Sequence, residues 1–134
     1  MIMYTNICLK TYANRGIMEQ FHITLTERLP RHLSAPCIIH GSFIVHAEQE
    51  VYRIVLDTHS VLSLCCLRCA EEYQTHYVQQ TSLIVCLSEQ LAARYMAVGD
   101  CIVLENPYLN LIDILTDELH LFAPEKHIDV KECS

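Results

Sequence analysis

The sequence contains few residues that interrupt regular structure, and it has no glycine-rich loop. Of its 134 residues, three are glycine, four are proline and none is tryptophan. Because 51% of the residues are hydrophobic, a disordered chain is excluded and a buried core is expected. The length indicates one domain. The glycines, Gly16, Gly41 and Gly99, are isolated from one another, so a glycine-rich phosphate-binding loop is also excluded.

The sequence also lacks long apolar runs and an excess of basic residues. Residues 1–20 show neither the apolar segment nor the cleavage-site pattern of a signal peptide, and no run approaches the ~20 apolar residues of a membrane span. We therefore expect a cytoplasmic protein that does not interact with membranes. Nine basic and sixteen acidic residues give a net charge of −7. This balance weighs against a large phosphate-binding surface and favours a basic protein as partner.

Strand-like segments occupy the first two thirds of the chain. Six segments alternate apolar and polar residues or are rich in β-branched residues, which predicts strands: they are residues 21–25, 37–47, 51–57, 61–65, 72–87 and 101–104. The short connections between them favour antiparallel pairing. Gly41 lies within the second segment, where it indicates a bulge or a close approach of another chain segment.

Two segments show helical spacing instead. Ser88 is a suitable cap for a short helix that extends to Ala97, and Asn110 is a suitable cap for a second helix that Pro124 ends. One apolar stripe follows the second helix, at Leu111, Ile112, Leu115, Leu119 and Phe122. We expect an α+β fold: an antiparallel sheet or small open barrel with one long C-terminal helix and a shorter helix packed on it. Residues 1–134 would form a single domain, with residues 1–17 as a loosely attached extension.

A pair of cysteines with metal-ligand spacing follows the 61–65 strand. Cys66 and Cys69 form a C-x2-C pair, which supplies half of a tetrahedral zinc site, and His127 and Cys133 are candidates for the other half. Zinc is therefore the candidate cofactor. The same pair also suits a reduced thiol turn that only packs. A thioredoxin-like redox site is a further alternative, but its C-x-x-C motif normally opens a helix, and here the context is strand, turn and strand.

Acidic residues lie beside the apolar stripe of the second helix. Asp113, Asp117 and Glu118 fall off that stripe and form a candidate surface for a basic partner. A solvated helix face predicts the same pattern. No local signature of a catalytic residue pair accompanies them, and we expect no enzymatic activity.

The two informative stretches together resemble the YceD family, the large ribosomal RNA subunit accumulation proteins. The resemblance spans about residues 37–133. It is carried by Cys66, Leu67, Arg68, Cys69, Glu71 or Glu72, and Tyr73, and downstream by Asn110, Leu111, Leu115, Asp117, Glu118, Leu119, Pro124, His127 and Cys133. The family usually has Asp at the position of Asn110 and a second proline before the histidine.

The resemblance implies a ribosome-biogenesis factor needed for synthesis, processing or stability of large-subunit (23S) ribosomal RNA. Such a factor would act by binding a basic ribosomal or assembly protein, and would affect the RNA indirectly. One alternative is a zinc-dependent nucleic-acid-binding protein, which would need a cluster of basic residues on one face; the arginines available for it are Arg28, Arg31, Arg53, Arg68 and Arg94. The other alternative is a thiol-based redox enzyme.

Overall fold

The computed structural model describes residues 6–127, 131 and 133, and these residues form an α+β fold. The elements in chain order are β1 (Asn6–Cys8), α1 (Leu9–Arg15), β2 (Glu19–Leu25), β3 (Cys37–Glu48), β4 (Val51–Cys65), β5 (Glu72–Cys86), α2 (Glu89–Tyr95), β6 (Asp100–Val103), β7 (Tyr108–Asn110) and α3 (Leu111–Phe122). None of the helices in this described part is long and apolar enough to cross a bilayer.

The main sheet is open and mostly antiparallel. Its strand order is β2-β3-β4-β5-β6, and every neighbouring pair is antiparallel except β5 and β6, which are parallel. The predicted antiparallel sheet is confirmed, and its open form settles the choice between sheet and barrel. The parallel pair arises because α2 lies between β5 and β6, and such a crossover returns the chain in the same direction.

Gly41 allows β3 to lie close to its neighbours, as its position in the sequence predicted. A β-carbon at this position would collide with the carbonyl oxygen of Asp57 on β4 and would lie 2.7 Å from the ring of Phe21 on β2. Only glycine therefore permits this packing of the three strands without a shift of the backbone.

The two faces of the sheet are covered by different helices. Side chains alternate between the faces along a strand, so that on β5 Val85 joins the main core, whereas Ile84 and Cys86 join a small second cluster with residues of α2. The main core lies on the opposite face and includes Leu111, Leu115 and Leu119 of α3. The shorter helix therefore packs on the sheet as expected, on the face that α3 leaves uncovered.

The C-terminal helix begins and ends where its capping residues predict, but it is not long. The side-chain oxygen of Asn110 accepts hydrogen bonds from the backbone N–H groups of Ile112 (3.0 Å) and Asp113 (3.4 Å). Helix α3 ends at Phe122, and Ala123 before Pro124 is extended, as residues before proline usually are. With twelve residues it is a helix of ordinary length, and the expectation of one long helix is wrong.

The N-terminal segment is part of the core, and the expectation of a loosely attached extension is wrong for its described residues. Strand β1 pairs with β7, and the side chains of Ile7 and Leu9 are 0% exposed. The Leu9 N–H group donates to the carbonyl oxygen of Pro107 (2.8 Å). On α1, the ring of Tyr12 contacts the ring of Phe43 edge-on at a centroid distance of 5.4 Å. The sequence did not predict β1 and α1, because a strand of three residues and a helix of seven are too short to show a clear periodicity.

The predicted burial of Leu115 and Leu119 against the sheet is confirmed, since they are 1% and 0% exposed. We expect Leu115→Ala or Leu119→Ala to lower the free energy of unfolding by about 2–5 kcal/mol, because each leaves a cavity. Leu121→Ala is the matched control on the same helix: Leu121 is 74% exposed, and its truncation should change stability by about 0.5 kcal/mol or less. Urea denaturation measures all three. Equal losses would contradict this account of how α3 packs.

Candidate metal centre

A tight turn between β4 and β5 holds the C-x2-C pair. The N–H group of Cys66 donates to the carbonyl oxygen of Glu71 (2.9 Å), and the N–H group of Ala70 donates to the carbonyl oxygen of Cys66 (2.8 Å). Ala70 has the left-handed backbone conformation, with φ of 64°. The turn brings the sulfur atoms of Cys66 and Cys69 together. The sulfur of Cys65 lies elsewhere, 3.6 Å from the carbonyl oxygen of Ala70.

The segment that follows α3 returns to this turn. The N–H group of Leu67 donates to the carbonyl oxygen of Glu125 (2.9 Å), and the N–H group of His127 donates to the sulfur of Cys66 (3.4 Å). The first bond attaches the C-terminal segment to the backbone of the turn, and the second attaches it to the side chain of Cys66. As a result, all four sequence-predicted ligands, Cys66, Cys69, His127 and Cys133, come together as one group.

The spacing of the four donor atoms fits a tetrahedral metal ion. The ligand atoms all lie within 4.8 Å of one another. The sulfurs of Cys66 and Cys133 are 3.8 Å apart, and Nδ1 of His127 is 3.6 Å from the sulfur of Cys69 and 3.4 Å from that of Cys133. Zinc bonds of ~2.3 Å to sulfur and ~2.1 Å to nitrogen imply separations of about 3.8 Å between two sulfurs and about 3.6 Å between sulfur and nitrogen. The ligand types and these three separations are therefore compatible with a Cys₃His zinc site.

Two neighbouring residues orient the C-terminal ligands. The ring of His127 stacks on the ring of Tyr73 at a centroid distance of 4.1 Å. The guanidinium group of Arg68 donates through Nη2 to the carbonyl oxygen of His127 (2.7 Å) and through Nε to the sulfur of Cys133 (3.1 Å). Sequence reasoning missed both roles. The only available signal was that Arg68 lies between the two cysteines and Tyr73 begins the next strand.

The thiols of the group have unequal acidities. Burial tends to raise the pKa of Cys66, but backbone N–H groups of His127, Cys69 and Arg68 hydrogen-bond the sulfur, and together they lower the pKa to about 5. Arg68 lowers the pKa of Cys133, but burial and the sulfurs of Cys69 and Cys66 outweigh it and raise that pKa. Adjacent thiolates repel one another, so an ionised Cys66 sulfur opposes ionisation of Cys133. A divalent cation among them would remove this conflict.

The candidate acidic surface is divided by the structure. Asp113 and Asp117 are exposed, and Asp113 accepts a hydrogen bond from Arg28 at 2.7 Å. Glu118, in contrast, is 5% exposed, so the expectation that it lies on the exposed face is wrong. It is seven residues after Leu111 and three after Leu115, and residues at these spacings share one face of a helix. That spacing was visible in the sequence, but the acidic side chain favoured the opposite prediction.

Comparisons of this chain with protein-family models, with curated proteins and with solved structures found no match.

The burial of Glu118 predicts a pH dependence of stability. Burial raises the pKa of its carboxyl group above the ordinary value of 4.5, and the nearby Thr81 hydroxyl only partly offsets this. Between the ordinary and the raised pKa the folded protein binds more protons than the unfolded chain, so this group contributes less stability as pH rises. Glu118→Gln does not titrate. We therefore expect its stability, relative to the unmodified protein, to increase as pH rises above 4.5.

Urea denaturation at a series of pH values measures this difference. Asp117→Asn removes one charge at an exposed position of the same helix and controls for the change in net charge. The stability of Glu118→Gln, relative to that of the unmodified protein, could instead fall or stay constant as pH rises. Either result would show that burial does not raise the pKa of the Glu118 carboxyl group.

Proposed function

We propose that this protein binds one zinc ion through Cys66, Cys69, His127 and Cys133, and that the ion has a structural role. The observation that supports the proposal is the agreement of the donor separations, 3.8, 3.6 and 3.4 Å, with tetrahedral coordination. Four protein ligands leave no open position for a substrate or an activated water, and this closure distinguishes structural zinc sites from catalytic ones.

The ion would attach the C-terminal segment to the β4–β5 turn. Three thiolates and a neutral imidazole around Zn²⁺ carry one net negative charge, which the guanidinium group of Arg68 is placed to balance. His127 would bind through Nδ1, since this nitrogen faces the sulfurs. Metal binding would then stabilise the fold as well as the site, because the ligands converge only in the folded chain.

Metal analysis of protein purified under reducing conditions should find about one zinc per chain. Cys66→Ser or Cys69→Ser should abolish this binding, because each removes a thiolate. Cys65→Ser is the matched control, since Cys65 is adjacent to the group but outside it, and this variant should retain the metal. A chelator should lower the thermal stability of the unmodified protein and of Cys65→Ser.

Two outcomes would refute the zinc proposal. One is protein without metal whose stability does not respond to chelator. The other is equal metal content in Cys65→Ser and Cys69→Ser. Either would leave the cysteine pair as a packed thiol turn.

We further propose that the protein acts by binding, as a ribosome-biogenesis factor that supports the accumulation of large-subunit ribosomal RNA in the cytoplasm. The support is the resemblance of the Cys66–Tyr73 stretch and of residues 110–133 to the YceD family. The net charge of −7 and the exposed carboxylates Asp113 and Asp117 favour a basic ribosomal or assembly protein as the direct partner.

The arrangement of the arginines favours a protein partner over direct binding to RNA. Arg28 pairs with Asp113 (2.7 Å), Arg53 with Glu48 (2.8 Å) and Arg94 with Glu50 (3.2 Å), and Arg68 is bound at the cysteine group. Four of the five arginines expected to form an RNA-binding cluster are therefore engaged with acidic side chains or with the cysteine group. Phosphate binding depends on unpaired basic residues gathered on one surface.

The geometry of the cysteine pair gives little support to a thiol-based redox enzyme. Cys66, whose pKa is lowered, is 0% exposed, and a thiolate must reach the sulfur atom that it attacks.

We expect Asp117→Lys to weaken partner capture and to lower large-subunit RNA levels in cells that carry only this variant, because it reverses a charge on the exposed face of α3. Glu89→Lys is the control, an equal charge reversal at an exposed position of α2. Capture from lysate with and without RNase separates a protein partner from RNA. Normal RNA levels with Asp117→Lys, or equal losses in both variants, would exclude the acidic face of α3 as the binding surface.

A further inference from the structure

A cavity of about 400 Å³ lies between strands β5 and β6 and helix α3. Its apolar walls include Leu83 of β5, Ile102 of β6, and Ile114 and Leu121 of α3. The cavity is separate from the cysteine group, and none of the residues proposed to bind zinc lines it. Its size would admit a short aliphatic chain with a polar head group.

Glu118 lines this cavity, and its charge is not balanced by any described side chain. The residue is 5% exposed, and neither carboxylate oxygen has a hydrogen-bond partner among the described residues. The Thr81 hydroxyl lies close enough to affect the carboxyl group, but outside hydrogen-bonding geometry, and it too lacks a partner within the described part of the chain. A buried, unpaired carboxyl group is costly to stability, and such a group in a cavity marks a place where a ligand can supply the missing partner.

The charges around the cavity indicate the sign of that ligand. Asp100 of β6 and Asp117 of α3 also line it, and both are exposed. The lining residues include no Lys, Arg or His. Arg28, outside the lining, pairs with Asp113 and partly offsets the charge of Asp117. Three carboxyl groups with no basic residue in the lining still leave a negative potential, and the low polarity of the walls strengthens it.

We propose that this cavity binds a primary alkylammonium or alkylguanidinium group, with the alkyl chain against Leu83, Ile102 and Ile114 and the cationic head paired with Glu118. The cation supplies the hydrogen-bond donors that Glu118 and Thr81 lack, and Asp100 and Asp117 attract it to the entrance. Both head groups carry several N–H donors in compact form, and both are attached to flexible alkyl chains in nature.

Such a group occurs both in the lysine or arginine side chain of a protein and in free diamines. The first source would connect the cavity with the proposed basic partner, and to that extent the inference rests on the proposed function. The chemistry of the cavity itself depends neither on zinc nor on ribosomal RNA. The cavity proposal and the proposed function can therefore be tested independently.

Nuclear magnetic resonance titration tests the proposal with n-butylguanidinium as the probe and n-butylurea as its neutral counterpart. We expect saturable shifts of the methyl resonances of Leu83, Ile102 and Ile114 with the cation, and little change with the urea. Glu118→Gln keeps the shape of the side chain and removes its charge. It should weaken binding by about tenfold or more, since charge-assisted hydrogen bonds contribute at least this factor.

Glu89→Gln is the control, because it removes an exposed charge outside the cavity, and it should bind the probe as the unmodified protein does. Thermal denaturation checks that both variants are folded. The absence of saturable shifts would overturn the proposal. The proposal would also be overturned if n-butylurea bound as well as the cation, or if Glu118→Gln bound the cation as tightly as the unmodified protein. Either result would show that binding depends on the apolar walls and not on the charge of Glu118.

A second pair of titrations distinguishes the two sources. A short peptide with one central arginine is compared with the same peptide carrying citrulline, and putrescine is compared with butanol. Tighter binding of the arginine peptide than of putrescine assigns the cavity to a protein side chain, whereas the reverse order assigns it to a free diamine. Normal ribosomal RNA levels in the Asp117→Lys cells, together with saturable cation binding by the unmodified purified protein, would refute the proposed function and leave the cavity proposal standing. Lowered RNA levels in those cells, with no cation binding by the unmodified protein, would do the reverse.

Discussion

The crowding of three thiols and one imidazole within 4.8 Å is the constraint on which the C-terminal part of this structure depends. Sulfurs this close form no disulfide here, and their mutual repulsion opposes joint ionisation. The backbone N–H groups at Cys66, the guanidinium group of Arg68 and the stacked ring of Tyr73 all act to hold this arrangement in place. A cation bound there would convert the repulsion into attraction, and this would give the return of the chain after α3 a physical reason.

Much of this fold follows from local patterns in the sequence. Alternation along β3, the Asn110 cap and the apolar stripe of α3 each depend on residues within a few positions of one another, and such signals are readable. The prediction of two strands at residues 51–57 and 61–65 was wrong, because the structure joins them as the single strand β4. The four candidate ligands were also recognisable, because few residue types bind zinc. Pairing of β1 with β7, the parallel direction of β6 and the burial of Glu118 depend on distant segments. No local pattern carries that information, and for Glu118 its charge indicated the wrong face.

Charge is distributed in this protein so that acidic groups outnumber their basic partners. Arg28, Arg53 and Arg94 are paired with Asp113, Glu48 and Glu50, and such surface pairs contribute little to stability. These pairs instead affect which partners the protein can bind, because they neutralise the positive charge that binding to a phosphate backbone requires. The remaining carboxylates, including the buried one on α3, leave the molecule suited to cationic partners.

The pairing of β1 with β7 has a consequence for the order of folding during synthesis. Asn6 pairs with Asn110, so β1 has no partner until the more than one hundred residues between them have left the ribosome. The apolar side chains of Ile7 and Leu9 stay uncovered throughout that interval, when exposed hydrophobic surface promotes aggregation. Contacts between distant residues also slow folding. The long hairpin of β4 and β5 pairs neighbouring segments and therefore forms early, and it offers Cys66 and Cys69 as an open dithiol. The nascent protein therefore passes through a stage in which the β4–β5 turn is formed while His127 and Cys133 are still to be added.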